Sequence, residues 1–133
     1  MKKLNIIKID SVRKTVELSI MQDSLPGIYV SLECDMFTVA AHLPNNDLLL
    51  VDEESLIRNL KTAPTGFIIE IANEPHLFFG QGVIVGFNEE KGNHLDCTSK
   101  LVEIRSKVSF PSQEDLNANF LELSGRPSSD IPA

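Results

Sequence analysis

The sequence contains little sulfur and few large aromatic rings, with two cysteines, one tyrosine and no tryptophan in 133 residues. Cys34 and Cys97 stand alone, without the paired C-x-x-C spacing of a redox motif or a zinc site. This spacing excludes a disulfide framework. We interpret both thiols as small apolar residues of a protein in the cytoplasm.

Long hydrophobic runs are also absent. The longest apolar runs, at residues 48–51, 67–69 and 83–85, fall far short of the roughly 20 residues that a membrane-spanning helix needs. At the N-terminus, Lys8 and Asp10 interrupt the apolar stretch before the core of a signal peptide can form. The sequence therefore predicts a cytoplasmic protein that has no membrane partner.

Positive charge is scarce after the first 14 residues. Residues 1–14 hold five Lys or Arg and one Asp, whereas residues 15–96 hold thirteen Asp or Glu and only three Lys or Arg. The formal net charge of the whole chain is −7. Affinity for nucleic acid arises largely from cations that displace counterions from phosphates, so we expect no nucleic-acid partner. An acidic body suits solubility or a basic protein partner.

The alternation of apolar and polar residues predicts short strands joined by turns. Val16, Leu18 and Ile20 alternate with polar residues, which is the period of a half-buried strand. Turn signals such as Pro44-Asn45-Asn46-Asp47 separate these segments. Strands are predicted over residues 5–9, 15–20, 37–43, 47–51, 67–71, 83–87 and 94–97.

Helical spacing occurs in several short segments. One helix is predicted over residues 26–33 behind an Asp23 or Ser24 N-cap, a second over 99–108 with Ser99 as cap, and a third over 112–123. Residues 56–60 are expected to add one helical turn. We predict an α+β fold, with a mixed or antiparallel sheet of about five to six short strands and two or three short helices. Residues 1–110 form the single domain, and 111–133 are an appendage that is partly helical and then disordered.

The phase of each predicted element selects a set of core residues. These residues lie where the apolar positions of their own strand or helix recur. The predicted core contains Val16, Leu18, Ile28, Leu32, Val39, Leu49, Val51, Ile69, Ile84, Leu101 and Ile104.

The glycines at 80, 82 and 86 resemble a dinucleotide-binding loop only superficially. The third glycine is one residue late, and the β-branched residues 83–85 continue as a strand instead of opening a helix. We interpret these glycines as positions of a bulge or of close backbone approach. No paired metal-ligand spacing and no nucleophile motif is present, so we expect no catalytic residue, no metal site and no cofactor.

Two groups of residues form the candidate interaction surface. Phe78 and Phe79 point to opposite faces if they lie in a strand, so one ring either is covered by the C-terminal segment or contacts a partner. Asp52, Glu53 and Glu54 form an acidic rim that is either functional or only solubilising.

Several landmarks lie along the chain in a characteristic order and spacing. They are Ile7-Lys8-Ile9-Asp10, Lys14-Thr15-Val16, Ile28-Tyr29-x-x-Leu32-x-Cys34-Asp35, Asp47-x-Leu49-x-Val51-Asp52-Glu53-Glu54 and Gly80-x-Gly82-Val83-Ile84-Val85-Gly86-Phe87-x-Glu89. In this order and spacing, over about residues 4–110, the chain resembles the short acidic proteins of unknown function that phages, prophages, plasmids and other mobile elements encode. One departure is Ser55, where the family typically has glycine.

The resemblance implies an accessory protein that binds and modulates a host protein. The absence of a catalytic motif favours the same non-enzymatic function. The alternatives are a small-ligand module that holds a nucleotide-like molecule and, behind it, an enzyme with a spatially assembled acid/base site. We also expect a homodimer, formed either through a sheet edge or through the apolar residues near Phe78 and Phe79.

Overall fold

The computed structural model describes residues 2–34, 36–52 and 65–118. Glu53, Glu54, the predicted turn at 56–60 and the chain after residue 118 lie outside this description. The described elements, in chain order, are β1 (Lys3–Asp10), β2 (Thr15–Gln22), α1 (Leu25–Leu32), β3 (Phe37–His42), β4 (Asp47–Asp52), β5 (Gly66–Ile71), β6 (Glu74–Phe79), β7 (Gly82–Asn88), β8 (Asn93–Leu95), α2 (Leu101–Lys107), β9 (Val108–Ser109) and α3 (residues 113–118).

The strands form two antiparallel sheets. The larger sheet has six strands in the order β2-β1-β7-β4-β3, with β8 paired to the end of β7. The smaller sheet has three strands in the order β6-β5-β9. The predicted α+β class is confirmed, and the larger sheet has the predicted size. The second sheet was not predicted.

Strands β4 and β7 lie at the centre of the larger sheet and are apolar on both faces. Residues 48–51 and 83–85 are all buried, although successive side chains of a strand point to opposite sides. Continuous apolar runs of this length are typical of a strand that is covered on both faces. The short runs that exclude a membrane span therefore specify the middle layer of the protein.

Each face of the larger sheet has its own core. Helix α1 covers one face, where Ile28 and Leu32 pack against Leu50 and Val83. The smaller sheet and α2 cover the other face. There the buried set includes Ile7, Leu49, Ile84, Phe67, Ile69 and Ile104.

Helix α1 begins and ends with well-defined local chemistry. The Ser24 hydroxyl accepts a hydrogen bond from the Gly27 N–H at 3.1 Å, and Pro26 occupies the first turn. Glu33 ends the helix in the left-handed region at φ 56°. The predicted position and the Ser24 cap are confirmed. The helical spacing of the sequence predicts Leu25 on the same face as Ile28 and Leu32, but Leu25 is 58% exposed.

Two glycines of β7 are sites of close approach, as the sequence predicts. A Cβ on Gly82 would overlap the ring of Phe67. A Cβ on Gly86 would overlap the backbone oxygen of Asp96, next to β8. These positions exclude a side chain because neighbouring layers and strands pack directly on the backbone.

Most of the predicted core is correct, and the exceptions lie mainly on edge strands. Eight of the eleven residues are buried, and Leu101 is half-buried. The prediction that Leu18 and Val39 belong to the core is wrong. Leu18 is 64% exposed on β2, and Val39 is 42% exposed on β3. Strands β2 and β3 are the two edges of the larger sheet, where the covering layers reach only part of each strand.

Strands β6 and β9 were missed for different reasons. Pro75 lies inside β6, and proline normally argues against a strand, but β6 is an edge strand where a missing N–H is tolerated. Ala72 and Asn73 have φ of 54° and 65°, so they form a tight two-residue hairpin turn before β6. Strand β9 has only two residues and exists because it pairs with β5.

The capping residue of α2 also differs from the prediction. Lys100, without a side-chain cap, precedes the helix, while the Ser99 hydroxyl donates to Asp47 Oδ2 at 2.6 Å. Asp47 is fully buried and also accepts hydrogen bonds from the N–H groups of Thr98 and Ser99. No helix in the described ranges is long and apolar enough to cross a membrane.

Candidate interaction surface

The two predicted phenylalanines are covered by their own chain. Phe79 is 4% exposed and packs with Leu116 of α3. Phe78 is half-buried, with its ring centroid 5.8 Å from that of Phe67. Of the two alternatives that the sequence left open for these rings, burial under the C-terminal segment is the one found.

The predicted acidic rim is only partly described. Asp52 ends β4 and is 5% exposed, while Glu53 and Glu54 lie outside the described residues. Both carboxylate oxygens of Asp47, in the same sequence region, accept hydrogen bonds from Thr98 or Ser99. The described part of the chain contains no group of three or more His, Cys, Asp or Glu that could hold a metal ion.

A buried amide organises a polar cluster beside the β1–β2 turn. Gln81 Nε2 donates to Asp10 Oδ1 and to Glu33 Oε2, both at 3.0 Å. Its Oε1 accepts from the Ser11 N–H at 2.6 Å. Lys8 Nζ lies 3.3 Å from Glu33 Oε2. The cluster connects β1, the end of α1 and the segment before β7.

The polar groups of this cluster satisfy one another. Asp10 Oδ1 also accepts from the N–H groups of Val12 and Arg13, each at 3.0 Å. Burial raises the pKa of Asp10, but the bonds from Arg13, Gln81 and Val12 and the charge of Lys8 outweigh it, so its pKa is lowered. A carboxylate with a lowered pKa and one oxygen that accepts three hydrogen bonds suits a structural role better than proton transfer.

The half-buried thiol of Cys97 is also unsuited to nucleophilic chemistry. Burial, together with the negative charges of Asp47 and Asp96, raises its pKa to about 11. At neutral pH the thiol is therefore protonated. Cys34 is buried in the core under α1.

Strand β2 carries the most prominent exposed apolar pair on a strand edge. Leu18 and Ile20 are 64% and 63% exposed, and they lie two residues apart on the same face. Strand β2 pairs with β1 over eight residues, from Lys3–Gln22 to Asp10–Thr15. No other described strand pairs with it, so its second side is an edge of the sheet.

The backbone groups of Leu18 and Ile20 point outward from that edge. The Asn5 N–H donates to Asp96 and its carbonyl accepts from the Cys97 N–H, so the Asn5 backbone faces away from β2. Asn5 is the register partner of Ile20, and both members of an antiparallel pair share this direction. Ile20 therefore faces away from β1, and Leu18, two residues earlier, does the same.

Both ends of this open stretch are closed by local hydrogen bonds. Arg105 Nε of α2 donates to the Val16 carbonyl at 2.8 Å. At the other end, the Gln22 carbonyl accepts from the Ser24 N–H at 2.9 Å. The remaining outward residues are Leu18 and Ile20. We define the β2 edge as these two residues with their outward N–H and C=O groups.

The sequence predicts Leu18 as a core residue, which is wrong, and places Ile20 on the same face of the strand without assigning it to the core. The alternation of Val16, Leu18 and Ile20 gave their common face, while nothing in the strand itself marks it as an edge. Comparison of the chain with protein-family models, curated proteins and solved structures finds no match.

Proposed function

We propose that this protein is a non-enzymatic interaction protein that binds a protein partner by strand addition at the β2 edge. The observation that carries the proposal is the exposed Leu18–Ile20 pair on a strand whose backbone groups face outward. In strand addition, the backbone bonds supply affinity and the alternating side chains supply specificity. Burial of one such side chain contributes roughly 1.5–3 kcal/mol.

The other long sheet edges differ from β2 in a way that supports this proposal. Strand β3 has a register irregularity between Val39 and Ala41, and β6 contains Pro75. Bulges and prolines are the usual devices that prevent unwanted strand pairing. Strand β2 has neither, since its register with β1 is continuous over eight pairs. The edge that lacks protection also carries the two more exposed apolar side chains, Leu18 and Ile20, whereas Val39 on β3 is 42% exposed.

Contact with a host protein is the biological setting that we propose for the protein as a whole. The resemblance to mobile-element proteins, which stays a prediction, favours an accessory factor that modulates a host component. The acidic balance of residues 15–96 adds a reason to expect basic surface on that component.

The small-ligand and enzyme alternatives have less support. One polar cleft is lined by Lys8, Asp10, Val12, Arg13, Val30, Glu33 and Gln81, but its buried groups bond to one another. Among the described residues, Asn93 Oδ1 is the single buried side-chain oxygen or nitrogen without a hydrogen-bond partner. It does not line that cleft.

Site-specific photo-crosslinking in the producing cells tests the proposal. A benzophenone amino acid replaces Ile20 in one variant and Val30, which is 76% exposed on α1, in the control. We expect a discrete protein adduct from position 20 that weakens when Leu18→Lys is added, and no such adduct from position 30. Equal adduct patterns at the two positions would contradict the proposal.

A further inference from the structure

We infer that the β2 edge binds the β2 edge of a second copy of this chain, in an antiparallel register that places Leu18 opposite Ile20. This inference rests on the proposed function and names the partner. A two-fold axis then passes between the two Ser19 residues, and the two six-stranded sheets continue into one another.

The register follows from which backbone groups are open. Outward-facing residues pair with outward-facing residues in an antiparallel ladder, so Leu18 pairs with Val16, Leu18, Ile20 or Gln22 of the second copy. Pairing with Val16 or Gln22 would need a carbonyl that already accepts a hydrogen bond within its own chain. Pairing Leu18 with Leu18 brings Ile20 against Val16, whose carbonyl already accepts from Arg105. Pairing Leu18 with Ile20 uses only open groups. Because the pair is symmetric, this register forms four backbone hydrogen bonds between the two copies. The hydrogen bonds from Arg105 to the Val16 carbonyl and from Ser24 to the Gln22 carbonyl stay intact.

The side chains fit the same register. On one face, Leu18 and Ile20 of both copies become cross-strand neighbours, and four exposed apolar side chains join into one cluster. On the other face, Ser19 meets Ser19 and Glu17 meets Met21. The two Glu17 carboxylates are therefore kept apart by several residues, and no like charges oppose each other directly.

The open stretch itself favours a second copy over an unrelated strand. It has two outward apolar residues, and pairing with a second copy places an apolar residue opposite each of them without using any other backbone group. Charge does not select the partner, because Arg13 and Lys14 precede β2 while Lys2 and Lys3 lie beside Asp23 at its other end.

The described part of the C-terminal segment does not provide an alternative dimer interface. Leu116 of α3 packs on Phe79 of its own chain, so these side chains need no second copy for their burial. Of the dimer interfaces that the sequence predicts, a sheet edge and the apolar residues near Phe78 and Phe79, only the sheet edge presents exposed apolar side chains.

Sedimentation velocity of the full chain at about 20 μM provides the first test. We expect twice the chain mass for the unaltered protein and for Val30→Lys, and the single chain mass for the double variant Leu18→Lys/Ile20→Lys. Circular dichroism checks that the double variant remains folded. A monomeric unaltered protein, or a folded double variant that is still dimeric, would overturn the inference.

Disulfide trapping tests the register itself. In a Cys34→Ala/Cys97→Ala background, Ser19→Cys places two thiols opposite each other in a non-hydrogen-bonded pair, where Cα atoms lie about 4.5 Å apart. We expect mild oxidation to convert most of this variant to a covalent dimer. The matched Glu17→Cys variant faces Met21 and should crosslink at least tenfold more slowly. Equal crosslinking of both variants would contradict this register.

The photo-crosslinking experiment separates this inference from the proposed function. An adduct of twice the chain mass from position 20 supports a second copy. An adduct with a different protein, together with a monomeric mass in sedimentation, would overturn the inference and leave the proposed function standing. Absence of any adduct from position 20 would contradict both the inference and the proposed function.

Discussion

At the scale of single residues, Gln81 is a buried polar side chain that joins separate parts of the chain. Its amide holds Asp10 and Ser11 at the end of β1 and Glu33 at the end of α1. Gln81→Leu keeps a similar volume but leaves the buried Ser11 N–H without its acceptor. We expect a loss of about 2–3 kcal/mol in the free energy of unfolding, measured with urea. The exposed control Gln113→Leu should change this free energy by less than about 0.5 kcal/mol. Equal effects at both positions would show that the network contributes nothing.

Asp10 should give the protein a specific dependence on pH. The fold lowers its pKa, so the stability that it contributes is fully present above its unfolded pKa of about 4 and is lost as the pH falls through the folded pKa. Asp10→Asn should therefore be less stable than the unaltered protein at pH 7, and this difference should shrink below pH 4. Urea titrations at pH 7, 5 and 3 measure it, with the exposed Glu90→Gln as control. A difference that is constant with pH would contradict the lowered pKa.

Cys97 should behave as an unreactive thiol. Because burial and the carboxylates of Asp47 and Asp96 raise its pKa to about 11, its thiolate is scarce at neutral pH. In a Cys34→Ala background, the rate of alkylation by iodoacetamide should keep rising with pH beyond 9. A rate that levels off below pH 9 would show that the pKa is not raised.

At the scale of elements, Leu116 is the single buried residue in the described part of α3. Leu116 is 3% exposed and packs on Phe79, which otherwise lies at the end of edge strand β6. Leu116→Ala should lower the free energy of unfolding by about 2 kcal/mol, while Val102→Ala, at a position that is 72% exposed, should have little effect.

The same variant separates the two dimer interfaces that the sequence left open. If the β2 edge is the interface, Leu116→Ala keeps the full dimer mass in sedimentation in spite of its lower stability. A monomeric Leu116→Ala would instead place the interface at the C-terminal segment.

At the scale of the whole molecule, dimerisation should make thermal stability depend on concentration. A partner that binds only the folded chain stabilises it by mass action. The melting temperature should rise by several degrees between 2 and 200 μM, concentrations chosen to bracket dissociation, and stay constant for Leu18→Lys/Ile20→Lys. Differential scanning fluorimetry measures both. Parallel shifts in the two proteins would exclude the β2 edge as their cause.

The sequence by itself determined the local elements and the central layer. The apolar runs at 48–51 and 83–85 and the Ser24 cap of α1 follow from nearby residues. Such features depend on interactions within a few residues or on burial from both sides, which the local pattern records. The α+β class and most of the core were predictable for the same reason. The glycines at 82 and 86 indicate close backbone approach, although the residues that approach, Phe67 and Asp96, are distant in sequence.

Only the tertiary structure decided which strands are edges and which polar residues meet. Leu18 follows the alternation that is typical of a core residue. Its side chain is nevertheless exposed, because β2 is an edge strand and the described layers cover only part of it. Gln81, Asp10 and Glu33 are distant in sequence and meet only when β1, α1 and β7 assemble. Strand order and layer coverage depend on long-range packing, which the two-residue period of a single strand does not encode.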